Sequence, residues 1–328
     1  MPEFDPVPLP RYDGPETAPQ SLIADITAWI GSDALRHLVN AFGGDPLGRD
    51  PDSYLDYLDA FSAEHWDFRA GRERFETRAK ELSAPCEAEV RAAARALGLG
   101  GIASPNWERY THVLVLGGLA GSCLLRADFA ARLLKSGVTA DRVTGVGGFR
   151  PLTEAEVESA ARTGLDCGRF EVDAMAAGLK RAFGIAAEPE VEIGGDPHRE
   201  PERAWQVAAY ASEGRTVHVI AAPSSQPERR RADTVDTCRF WADRVAGLVP
   251  GDRILVVTSA PFVPFQHCEA IAHMGLPHGC GIDTVGVDHA SAPEPHLRQE
   301  YTASAYLQEV RSAIRSMRRL HSAAQRHR

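Results

Sequence analysis

Four short apolar runs, each ending in a polar, Gly- or Ser-rich loop that leads into a helical segment, set the fold class. They are His112–Gly118 (HVLVLGG), Val143–Gly148 (VTGVGG), Val217–Ser225 (VHVIAAPSS) and Ile254–Ser259 (ILVVTS). Apolar runs of this length between helical segments read as parallel strands buried on both faces. In an open α/β sheet the ligand sits beyond the carboxyl ends of the strands, so the loops mark the expected site. Ile282–Val287 reads as a fifth strand. The expected fold is α/β and Rossmann-like: a mostly parallel sheet of about five strands with flanking helices, an N-terminal helical cap and a C-terminal amphipathic helix.

Ahead of the first strand the pattern is helical. Leu22, Ile23, Ile26, Trp29 and Ile30 form one apolar stripe, and Leu35, Leu38, Val39 and Phe42 form another. A third helix carries Tyr54, Leu55, Leu58 and Phe61, and a longer one is expected from about Arg72 to Leu97. The chain divides into a Pro-rich lead (1–20), a helical cap (21–105), an α/β domain (106–296) and a basic amphipathic helix (297–328). In that last helix Leu307, Val310, Ile314 and Met317 face inward, with Arg311, Arg315 and Arg318 outward.

Composition narrows the partners. A formal charge of −9 over 328 residues argues against a general nucleic-acid binder. Lys80, Lys135 and Lys180 are the only lysines, which leaves few lysine-based mechanisms. Residues 1–20 lack the basic start and apolar centre of a secretory signal. No apolar run approaches the ~20 residues of a membrane span. Six scattered cysteines without a CxxC pair suit reduced thiols, so a cytoplasmic location is expected.

Each loop offers polar groups. In the first, Gly117 and Gly118 allow close backbone approach, with Arg126 one turn into the next helix as an anion contact. The spacing is neither GxGxxG nor GxxxxGK[ST], and a tight turn explains it equally well. In the second, Gly148 and Arg150 are candidates. Downstream, Glu171 and Asp173 open a helix, where acids also suit the helix dipole. The third loop is richest, with Ser224, Arg229, Arg230 and Arg231 followed by Asp233, Thr234, Asp236 and Thr237; an N-cap role competes for Asp233 or Thr234. The fourth brings Thr258 and Ser259, then Phe262, Phe265, Gln266 and His267, a mix suited to the wall of a pocket for a ring-bearing ligand.

The order of these segments resembles the YdcF/SanA/ElyC-like family, a bacterial α/β domain of largely unknown function. His112–Gly118 and Thr144–Gly148 match its first two strand ends, and Phe170–Met175 its acidic helix start with Glu171 on the acidic position. Arg231–Thr237 is similar to its STNTxENA segment and Val257–Ser259 to the start of its VTSxxHMxRA segment. The family's His and Arg after VTS fall near Phe262 and Phe265, where this chain departs. The resemblance implies S-adenosylmethionine as a ligand; no other cofactor is indicated.

A zinc reading of His267, Cys268, His273, His278 and Cys280 fits no paired-ligand spacing, and no metal site is expected. A G-x-S-x-G elbow is absent. The expected function is therefore binding of a small anionic or nucleotide-like ligand at the strand ends. Gly117, Gly118, Arg126, Gly148, Arg150, Ser224, Thr234, Thr237, Thr258 and Ser259 would bind it; Glu171, Asp233 and Asp236 would supply acid–base function. Group transfer or hydrolysis on a phosphorylated or activated metabolite is the enzymatic form. The alternative is a non-catalytic sensor or scaffold that acts through a protein partner, its terminal basic helix included; a homo-oligomer is compatible with either.

Overall fold

The computed structural model describes residues 3–46, 50–68, 81–101, 104–212 and 214–327. Four helices come first: α1 (Pro19–Ile30), α2 (Asp33–Ala41), α3 (Pro51–Trp66) and α4 (Ala84–Ala94). Then follow β1 (Arg109–Val115), α5 (Ala120–Lys135), β2 (Thr139–Gly147), α6 (Glu154–Ala161) and α7 (Glu171–Phe183). Next are β3 (Glu190–Gly194), β4 (Trp205–Ser212), β5 (Arg215–Ala221), α8 (Thr234–Trp241), β6 (Arg253–Ser259) and α9 (Val263–Ala270). The short α10 (Leu276–His278), β7 (Gly281–Val287) and the long α11 (Ala303–Arg326) complete the chain.

The sheet has seven strands in the order β3-β4-β5-β2-β1-β6-β7. The five strands expected from sequence are all present, and they pair with one another in parallel. Their order places a topological switch point between β1 and β6, where α/β sheets open a crevice for ligands. The other two strands were not anticipated. β3 and β4 form an antiparallel hairpin that extends the sheet beyond β5. β3 is five residues long and leaves Val191 and Ile193 about half exposed, so its sequence carries no core signature.

Side chains alternate between two cores, as strand geometry requires. Leu114, Leu116, Val146, Ile254, Val256 and Ile282 face α8, α9, α11 and the N-terminal helices. Val113, Val115, Val143, Val217, Leu255 and Val257 face α5 and α7. The N-terminal helices thus build one of the two layers over the sheet. Their expected stripes supply it: Leu22, Ile26, Trp29, Leu35, Leu38, Leu55 and Leu58 are all buried.

α11 lies within that layer. Leu307, Val310, Ile314, Met317 and Leu320 are sealed from solvent, as the heptad-like spacing predicts. Its basic face meets α3 rather than open water. Arg318 pairs with Asp56 and Asp59, and Arg311 with Asp59 and Asp67. The helix expected over 72–97 is described from Ala84, and widens into a π-type stretch, Arg95–Leu99, that is interrupted at Gly98 with φ +92°; 72–80 lie outside the described residues. After α3, Trp66 is fully buried and Phe68 packs on the same core, while Arg69 lies outside the described residues.

Candidate functional site

A half-open cavity of about 940 Å³ lies beyond the carboxyl ends of β1 and β2. Its floor is built from the first two expected loops. Gly117 has no room for a side chain: a Cβ there would lie 2.3 Å from Glu171 Oε1 and 2.6 Å from the Val146 carbonyl. Close approach, rather than an unusual φ, is what glycine supplies. Gly118, Gly147 and Gly148 line the cavity beside it. The walls carry Arg230, Arg231, Asp233, Thr234 and Thr237 from the third loop, and Phe262, Phe265 and Gln266 from the fourth. The roof is the segment Gln299–Ala305 with Gln308 and Glu309 of α11.

Arg126 is almost fully buried, and its donors are turned to the protein. Nε and Nη2 donate to Ser259 Oγ at 2.9 and 2.8 Å, and Nη1 donates to the carbonyls of Leu116 and Gly117. It therefore clamps the glycine loop of β1 to the end of β6, across the switch point. Ser259, itself without exposure, also meets His289 Nε2 at 2.7 Å. Burial, then the nearby Arg126 charge, lowers the His289 pKa to about 4. The ring is neutral, and Nε2 accepts a hydrogen bond from the Ser259 hydroxyl, whose oxygen in turn accepts from Arg126.

Arg150 is similarly committed. Nη1 and Nη2 grip the carboxylate of Glu156 at 2.9 and 2.8 Å, a bidentate fork, and Nη2 also donates to the Gly118 carbonyl. Glu156 further accepts from the amides of Ala120 and Thr153. Burial opposes its charge, but these bonds hold its pKa down, to about 2. Ala120 is the first residue of α5, so the helix N-terminus where an anion was expected already holds a carboxylate of the protein itself.

Glu171 opens α7 and turns its carboxyl to the cavity floor, 3.4 Å from Arg150 Nε. Burial raises its pKa, against the pull of Arg150, Arg126 and Arg231. Its neighbour in the helix, Asp173, has the local role that acids have in a first turn: it accepts from the amides of Arg169 and Phe170.

The remaining candidates divide by geometry. Asp233 and Asp236 form a reciprocal capping box on α8, each accepting from the other's amide, and both pair with Arg230. Asp233 still borders the cavity; Asp236 does not. Thr237 donates to the Asp233 carbonyl. Ser224 accepts from the Gln226 amide away from the cavity. Thr258 and Ser259 are buried behind the wall. The loops thus bring together Gly117, Gly118, Arg126, Gly148, Arg150, Glu171, Asp233, Thr234 and Thr237, and leave Ser224, Asp236, Thr258 and Ser259 outside the lining. Sequence reasoning did not find Glu156 or the α11 contribution, because both reach the site only through tertiary packing.

His267 of the fourth loop and the buried cysteines of α5 and α8 are structural. His267 Nε2 donates to the Pro10 carbonyl at 2.7 Å, while Nδ1 accepts from Thr284 at 3.0 Å. Burial pushes the thiols of Cys123 and Cys238 up to about 12, so neither is an activated nucleophile. Among the described residues no helix is long and apolar enough to cross a membrane.

Comparison with known proteins now bears on the resemblance. The Rv3785 N-terminal domain matches residues 13–98, the stretch that holds α1–α4. Uncharacterized protein Rv3785 of Mycobacterium tuberculosis is 31% identical over 322 residues, covering 90% of this chain and 88% of the relative. Uncharacterized protein Mb3814 of Mycobacterium bovis aligns with the same identity and coverage. No solved structure matches. These likenesses overturn the YdcF/SanA/ElyC-like resemblance, and the expectation of S-adenosylmethionine, which rested on it, loses its support. Its motif order is what the fold itself produces: glycine where β1 nears Glu171, and acids where α7 and α8 are capped. With nearly the whole length aligned, the chain belongs to the Rv3785 family.

Proposed function

We propose that this protein binds a small anionic or nucleotide-like ligand in the strand-end cavity, with Glu171 as the group that exchanges a proton with it. One observation carries the reading. Loops separated by more than 100 residues converge on a single cavity whose floor is a buried carboxyl under a glycine backbone. Arg126 and Arg150 build that floor through bonds to protein groups. Recognition of an anion then falls to the backbone of the glycine loops and to the Arg231 side of the wall. Phe262, Phe265 and Tyr301 supply apolar faces for a ring.

The chemistry that suits this arrangement is proton transfer coupled to group transfer or hydrolysis on a phosphorylated or activated metabolite. A buried carboxyl whose pKa is raised by its loss of water is suited to general acid–base work. A covalent thiol route finds no support, since Cys238 in the wall holds its proton. Six cysteines without a disulfide suit the cytoplasm, where we place the protein.

A thermal-shift screen with nucleotides, nucleotide sugars and phosphorylated metabolites tests the reading. A ligand at about 100 times its dissociation constant stabilises by roughly 2.7 kcal/mol. Gly117→Ala, which crowds Glu171, should abolish the shift given by a genuine hit. A hit that binds Gly117→Ala unchanged would place the ligand elsewhere.

A further inference from the structure

One arginine stands between two carboxylates at the cavity floor, and it serves them unequally. Arg150 has five N–H donors in a fixed fork. The four on its terminal nitrogens go to Glu156 Oε2 (2.9 Å), Glu156 Oε1 (2.8 Å), the Pro151 carbonyl (3.2 Å) and the Gly118 carbonyl (3.0 Å). Only Nε is turned to Glu171, at 3.4 Å. Glu156 is held from other sides as well, by the Ala120 and Thr153 amides and the Thr153 hydroxyl. It contributes nothing to the cavity lining, yet it decides how the guanidinium there is oriented.

We propose that Glu156 is the positioning residue of the site: by occupying both terminal nitrogens of Arg150, it keeps that guanidinium from forming a fork with Glu171 and leaves the Glu171 carboxyl poised for proton exchange with a ligand. The proposal rests on the reading of the cavity as a ligand site, and gives Glu156 no contact with the ligand. A fork with Glu171 would stabilise its carboxylate and commit it to the ionised form. The other charged or titratable groups that face Glu171 are Arg126 and Cys123 on α5 and Arg231 ahead of α8. Arg126 is held by Ser259 and two carbonyls and cannot replace the missing fork. Cys123 keeps its proton.

The test is a carboxyl-carbon NMR titration of the full-length, ligand-free protein labelled at glutamate, with the Glu171 signal identified by its loss in Glu171→Gln. In the wild type Glu171 should titrate above an ordinary glutamate. Glu156→Gln keeps an acceptor for the Ala120 amide but cannot grip both nitrogens, so Arg150 turns to Glu171. The Glu171 midpoint should then fall by about one pH unit or more, roughly tenfold in proton affinity. Glu156→Asp, which shortens the reach, should move it in the same direction by less. A role in holding α6 alone would leave the midpoint where it is.

A folded Glu156→Gln protein with an unmoved or raised Glu171 midpoint overturns the proposal. A wild-type Glu171 that titrates at or below the ordinary range overturns it too, and needs no variant to fold. Because the titration is made without ligand, it is independent of the thermal-shift screen, whose failure would bear on the ligand reading instead.

Discussion

Ser259 Oγ lies 2.7 Å from His289 Nε2, and neither residue reaches solvent. The same oxygen accepts two hydrogen bonds from Arg126, so one hydroxyl joins the ends of β1 and β6 to the turn after β7. Ser259→Ala should leave Nε and Nη2 of the buried Arg126 guanidinium, and a buried imidazole nitrogen, without the partner they have here. Leaving a buried polar group unpaired costs about 1–3 kcal/mol, and more for a charge. We expect a loss of about 3 kcal/mol in urea unfolding. The adjacent Thr258 gives the opposite result. Its hydroxyl is buried and has no hydrogen-bond partner, so Thr258→Val should be neutral or stabilising. Equal losses in the two variants would show that the network is not what holds the loop.

Acid should weaken the fold through two histidines. Burial lowers the pKa of His112 and of His289 to about 4, against 6.5 unperturbed. The unfolded chain therefore takes up these protons first. Their contribution is complete above pH 6.5 and is lost as pH falls toward 4. The difference between the folded and unfolded values corresponds to about 3 kcal/mol for each histidine. His112 Nε2 lies 3.7 Å from Asp252 and its ring meets Trp241 edge-on. His112→Phe should flatten part of the acid limb in stability measured from pH 7 to 4; an unchanged slope would refute the assignment.

Asp236 is expected to matter for stability and not for ligand affinity. It receives the Asp233 amide and the Arg230 guanidinium, and stands outside the cavity lining. Loss of a capping group costs about 0.5–2 kcal/mol. Asp236→Ala should lose about that much in thermal or urea unfolding while a ligand from the screen binds unchanged. A selective loss of binding with full stability would return Asp236 to the site.

Removal of α11 should remove the fold. The helix buries Leu307, Val310, Ile314, Met317 and Leu320 between the sheet layer and the N-terminal helices. A single Leu307→Ala should cost about 2–5 kcal/mol. A chain ending at residue 302 should show no cooperative unfolding transition. A stable truncated protein would mean that the helix is an accessory surface after all.

The legible part of the fold was the part with a local signature. The five parallel strands announced themselves as runs buried on both faces, and Asp233-x-x-Asp236 spells a capping box that could be read either way until α8 was seen. Arg126 was visible as a residue one helical turn beyond a glycine loop, but its direction was not. Whether a guanidinium meets a ligand or a carbonyl depends on where β6 stands, 133 residues later in the chain. Glu156 was hidden for a similar reason: its sequence reads as the third residue of a capped helix, which it is. Its bond to the Ala120 amide, 36 residues upstream, exists only once α6 packs against α5. The β3–β4 hairpin buried too little on its edge strand to leave a pattern.

The long reach of α11 also sets an order of events at synthesis. Its Arg318 pairs with Asp56 and Asp59, partners that leave the ribosome about 260 residues earlier. Until the last helix emerges, α1–α4 have an apolar side with no layer to complete, and closing so long a loop is slow. α1–α4 must therefore wait for α11 before their layer is complete. Nascent chains stalled short of residue 303 should remain open to protease within α1–α3, and should become resistant only on release of the full chain.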